Sequence, residues 1–142
     1  MKQSKLIAAY SIIAKLNASG MKDASMATQL KFYNLQKQLQ PAYDFQIKKE
    51  KEIFDENPPT KIEDGNAFYE KEDGTPDTEK LQICKEKLEE LNELDNDTIK
   101  IEPVHITTEE AKLLKPGNNQ NIIGILEGIV EIDELKVSVE LL

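Results

Sequence analysis

The stretch QPAYDFQIKKEKEIFDENPPTK, residues 40–61, decides how the first half of this chain folds. Just before and into it, Thr28, Phe32, Leu35, Leu39 and Ala42 recur at the three- and four-residue spacing of one helix face. Within it, Tyr43, Ile47 and Phe54 form a second stripe, offset from the first at Pro41. The proline ring removes a backbone donor and crowds the carbonyl of Lys37, so a long helix over about residues 24–55 is expected to kink or break there. Asn57-Pro58-Pro59 ends it, because a residue before proline is driven out of the helical region. Unbroken, such a helix would extend about 48 Å at about 1.5 Å per residue. A compact chain of 142 residues is only about 37 Å across, so the helix bends at Pro41 or projects.

The same stretch is where the charge changes sign. Up to Lys51, nine lysines face Asp23, Asp44 and Glu50; from Glu52 onward, 24 acids face nine lysines, and the whole chain carries −9. Attraction between the basic helical part and the acidic remainder, or between neighbouring copies, would orient association more than it stabilises the fold. Exposed ion pairs contribute only about 0–1 kcal/mol each.

Outward from this stretch, Leu6, Ala9, Tyr10, Ile13 and Leu16 mark a first amphipathic helix over 2–17, and Gly20 follows as its stop signal. Beyond the long helix, two Asp-Gly pairs flank NAFYEK within 60–76 and suit a β-hairpin or an ordered loop. Thr75 as N-cap and Pro76 as first helical residue open a third helix to about Leu94, with Leu81, Cys84, Leu88, Leu91 and Leu94 on one face. Ile99, Ile101 and Val104 alternate as a strand. Thr107 and Glu110 match a capping box ahead of a short helix. Residues 120–133, QNIIGILEGIVEID, suit an inward-packed helix, although Gly124 and Gly128 each weaken it by about 1 kcal/mol relative to alanine. Val137, Val139 and Leu141 form a tail strand expected to pair with 99–104. The expected fold class is α+β and mainly helical: one domain over 1–142, with a basic helical hairpin at 1–57 and an acidic α+β part at 58–142.

Composition narrows the chemistry. With 39 % hydrophobic and 32 % charged residues, the chain should fold and carry a strongly hydrated surface. All eighteen basic residues are lysines and there is no tryptophan. Without the bidentate guanidinium fork, direct sequence-specific nucleic-acid binding and phosphoryl-transfer catalysis are poorly served. A single cysteine allows no internal disulfide and no cysteine-rich zinc site. No apolar run reaches the roughly 18 residues that span a bilayer, and the N-terminus lacks the pattern of a secretory signal. A cytoplasmic location and no membrane partner are expected.

Cys84 and His105 are the sharpest enzymatic pair, since a cysteine nucleophile needs an adjacent base. Cys84 nevertheless lies on an apolar stripe among glutamates, which raise a thiol's pKa. Asp64, Glu70, Glu72, Asp73 and Asp77 offer oxygen donors, but their spacing departs from the calcium-loop pattern and turn chemistry accounts for them. No catalytic residue, metal or cofactor is expected. The acidic face KLEELNELDND, residues 87–97, together with the acidic loop, could imitate a phosphate backbone and occupy a basic groove on a nucleic-acid-binding protein; the alternative is an ordinary solvated face.

Three segments, MKQSKLIAAYSIIAKL at 1–16, LQKQLQPAYDFQIKKEKEIFDE at 35–56 and CKEKLEELNELDNDTIKIEPVHI at 84–106, carry a resemblance to small proteins encoded by tailed bacteriophages and prophages. That resemblance implies a phage setting, in the host cytoplasm or the virion, and assigns no functional residue. The reading that follows is a non-enzymatic protein acting by contact with a protein partner or by self-association, as an assembly or virion accessory or a host-interaction factor. Its expected contact surface is Tyr43, Ile47, Phe54, Phe68 and Tyr69 with the lysines Lys48, Lys49 and Lys51. The alternative for the aromatics is internal packing.

Overall fold

The computed structural model describes residues 1–115 and 122–133; the expected tail strand lies outside them. Two helices, α1 (Gln3–Lys15) and α2 (Met26–Glu56), are joined by a wide π-type turn, Leu16–Gly20. Ser25 caps α2 by accepting from the backbone N–H of Thr28 at 3.2 Å. Side-chain bonds from Gln3 to Ala42, Tyr10 to Gln40 and Asn17 to Phe32 run in opposite sequence directions, so the two helices form an antiparallel hairpin.

α2 passes through Pro41 without a break. Pro41 is exposed, so its ring points away from the hairpin and the lost bond to Lys37 faces water. The helix has 31 residues and runs about 46 Å. Its length is accommodated by two apolar clusters in tandem. The main cluster packs Leu6, Ala9, Ile13 and Leu16 against Phe32, Leu35, Leu39 and Ala42 and is closed by Val104, Ile106, Leu126 and Ile129. A smaller one gathers Ile53, Tyr69, Cys84 and Leu91 at the far end of α2, with Phe54 and Leu88 against it.

The hairpin expected between the Asp-Gly pairs forms: β1 (Lys61–Glu63) pairs antiparallel with β2 (Asn66–Phe68). Asp64 and Gly65 take φ of 52° and 79° in its two-residue turn. Its residues are all exposed, and it is tethered through Tyr69, whose hydroxyl donates to the Asn57 carbonyl at 2.8 Å. The helix α3 (Thr78–Glu93) starts later than expected. Asp77, not Thr75, is its N-cap and accepts from the Lys80 N–H at 3.2 Å. Thr75 is engaged in the preceding turn, donating its hydroxyl to Asp73 at 2.5 Å.

The last third differs most from expectation. The strand β3 (Val104–Thr107) begins where the alternating pattern was expected to end. Pro103 has no N–H to give a ladder, and the Glu102 N–H instead bonds the Gln38 side chain at 3.1 Å. After α4 (Thr108–Lys112), opened by the expected capping box of Thr107 and Glu110, comes α5 (Ile122–Ile125). The helix expected over 120–133 stops there. Gly128 takes φ of 78°, and the chain emerges as β4 (Val130–Asp133), parallel to β3.

Candidate interaction surface

On α2 the helical period separates two apolar rows. Thr28, Phe32, Leu35, Leu39, Ala42, Gln46 and Ile53 face inward. Met26, Leu30 and Tyr33, spaced i, i+4, i+7, fall on the opposite side and are 86 %, 58 % and 53 % exposed. A helix of a folded domain ordinarily turns polar residues to that side. Here the first two turns of the solvent face are apolar, and from Lys37 onward the face turns to charge.

The turn between the helices makes this row one wall of a groove. Asn17 donates its side-chain amide to the Phe32 carbonyl at 3.1 Å and to Gln36 at 2.5 Å, which pins the π-type turn against α2. Gln29 donates to the carbonyls of Met21 and Ala24 at 3.2 and 3.0 Å, fixing the second wall. Gly20 permits a close approach: a Cβ there would sit 2.6 Å from the Lys115 carbonyl oxygen. The groove has a volume of about 490 Å³ and is lined by Leu16, Ala18, Met21, Met26, Leu30 and Tyr33 with polar neighbours. A second depression of about 460 Å³ continues from Tyr33 along α2 to Pro41. The Lys37 ammonium lies 4.7 Å from the Tyr33 ring centre, within cation–π range.

The residues expected at a contact surface are dispersed. Tyr69 is buried, and burial pushes its hydroxyl pKa up to about 12, helped by the Cys84 sulfur at 3.6 Å. Tyr69 is therefore part of the smaller core and offers no contact surface. Tyr43 stacks on Tyr10 with ring centres 4.3 Å apart and is half-buried, as is Phe54. Ile47, Lys48, Lys51 and Phe68 are exposed. Lys49 donates to Glu52 at 2.9 Å, and that hydrogen bond holds the Glu52 carboxyl below its ordinary value.

The structure does not bring Cys84 and His105 together. Cys84 is buried beside Tyr69, whereas His105 is exposed on β3 with its Nδ1 3.1 Å from Asp133 and 3.5 Å from Glu131. The loop carboxylates serve turns, caps and pairs: Asp73 accepts from Thr75, Asp77 caps α3, and Glu70 meets Lys61 at 3.0 Å. Among the described residues, no three His, Cys, Asp or Glu side chains gather as a metal's ligands would. Nor is any helix among them long and apolar enough to cross a membrane. The outer face of α3 is a ridge of exposed carboxylates, Glu79, Glu86, Glu89 and Glu93, of which Glu93 meets Lys2 at 2.6 Å.

Compared with models of known protein families, with curated proteins and with solved structures, the chain matches none.

Proposed function

We propose that this protein acts by contact with another macromolecule and not by turnover, as an accessory factor in phage assembly or in the encounter of a phage with its host. The phage setting rests on the resemblance of its helical segments. The contact mode rests on one observation: Met26, Leu30 and Tyr33 stand together in water, on the side of α2 away from the core. Apolar surface left uncovered forgoes about 25 cal/mol per Å², and contiguous apolar patches of this kind mark interaction sites. Long-helix ridges at i, i+4 and i+7 are the usual anchors of helix-in-groove recognition.

The experiment is affinity capture from cells that express the protein, comparing wild type with a Leu30→Ser/Tyr33→Ser variant of equal thermal stability. Proteins retained by wild type and lost by the variant are the expected outcome. Identical sets from both, or none from either, would refute the reading.

A second reading is favoured by the carboxylate ridge on α3, which would suit an acidic decoy for a nucleic-acid-binding protein. Phosphate-like charge acts at a distance and is screened by salt. The decoy requires salt-sensitive capture of a polymerase, nuclease or regulator that disappears with Glu86→Gln/Glu89→Gln/Glu93→Gln and survives Leu30→Ser. The reverse pattern selects the apolar row.

A further inference from the structure

Resting on the reading of the outer face of α2 as a contact surface, we infer that its occupant is an amphipathic α-helix of a different protein, with carboxylates flanking its apolar ridge. The groove runs beside α2 from Met26 toward Pro41, a distance of about 22 Å, which matches about four turns of a docked helix. Its floor and wall are apolar at Met26, Leu30 and Tyr33, so the occupant must present apolar side chains at helical spacing.

The rim sets the charge of that occupant. Lys22 lines the groove and Lys37 stands over Tyr33. Neither meets a carboxylate among the described residues. The nearest acids in sequence are committed elsewhere: Asp23 to Lys115 at 3.4 Å and Asp44 to Gln40 at 2.9 Å. Complementary charge at such a rim steers encounter and fixes register.

A second copy of this chain fits less well on both counts. A two-fold pairing of the groove would set the lysines of one copy, Lys22 and Lys37, against those of the other, like charge against like. A head-to-tail pairing could offer α3, but its outer face carries Glu79, Gln82, Glu86, Glu89 and Glu93, and its exposed apolar residues, Leu81 and Ile83, do not repeat at i, i+4 and i+7 to fill the groove.

The test is selection from a peptide-display library of amphipathic helices, varied in net charge, against the immobilised full chain at low salt. Enriched sequences are expected to be acidic, with apolar residues at i, i+4 and i+7. A synthetic copy of the leading sequence should bind about tenfold more weakly to Lys22→Glu/Lys37→Glu and in near-molar salt. It should not bind Leu30→Ser or Tyr33→Ser. Enriched helices that are neutral or basic, yet still lost with Leu30→Ser, would overturn the acidic class and leave the contact face standing. Enrichment indifferent to both apolar variants, or no enrichment, would overturn the face as well. Self-association in sedimentation that Leu30→Ser abolishes would assign the groove to a second copy and overturn the inference.

Discussion

Gln3, at the start of α1, donates its side-chain amide to the Ala42 carbonyl at the middle of α2, 2.8 Å away and out of reach of water. The same side chain meets Gln46 at 3.3 Å and accepts from Asn96 at 2.8 Å, while Gln46 reaches Asn92 at 3.3 Å. One small polar network therefore fastens α1, α2 and the end of α3. Gln3 and Gln46 are buried, and a buried polar group left unpaired costs about 1–3 kcal/mol. Gln3→Leu should lower unfolding free energy by about that much, read from denaturant midpoints. An unchanged midpoint would show the network to be idle.

Tyr69 gives an alkaline signature. Its folded pKa, raised by burial to about 12, lies above the ordinary tyrosine value of 10.0. The neutral form is the one the fold holds, so this contribution is complete below pH 10.0 and is lost as pH rises toward about 12. Ultraviolet titration should show one of the four tyrosines ionising last, and Tyr69→Phe should remove that step. The variant should also lose less stability than wild type across that window. Four superimposed titrations would contradict the burial.

Glu110 gives an acidic one. The Thr28 hydroxyl and then the Thr107 backbone N–H donate to its carboxylate and hold its pKa below the ordinary 4.5. A depressed carboxyl stabilises the fold above the ordinary value, and the benefit fades as pH falls through the lowered one. Glu110→Gln should thus be less stable than wild type at neutral pH, with the gap closing in acid. Thermal melts at several pH values would read this; a gap that does not vary with pH would argue for packing alone.

Pro41 sits inside a continuous helix and is exposed, so its missing donor is uncompensated by packing. Proline in a helix interior is about 3 kcal/mol worse than alanine, partly offset by its stiffer unfolded chain. Pro41→Ala should raise stability by about 1–3 kcal/mol in denaturant titration. A loss would mean that the hairpin requires proline at this position.

Much of this fold is legible in the sequence because α1, α2 and α3 are written in strong helical periodicity. The Thr28-to-Ala42 stripe, the 64–65 turn and the Thr107–Glu110 box are all local signals with local causes. β4 was illegible for a physical reason: Ile129, Val130 and Ile132 suit a buried helix or a strand equally, and only the left-handed φ of Gly128 separates them. Tyr69 misleads because it stands between two Asp-Gly turns, where exposure is the ordinary expectation; its anchor, the Asn57 carbonyl, is a tertiary contact. The Met26–Leu30–Tyr33 row was readable in principle. Its spacing is regular, and a helix in a two-helix hairpin cannot bury two opposed apolar faces at once.

The most direct measurement is site-specific photo-crosslinking in cells that express the protein, with a photoreactive side chain at position 33 and, separately, at position 100, which lines neither depression. The account expects a discrete adduct from position 33, lost when Leu30 is also changed to serine, and none from position 100. Equal labelling from both positions, or no adduct from position 33, would contradict it.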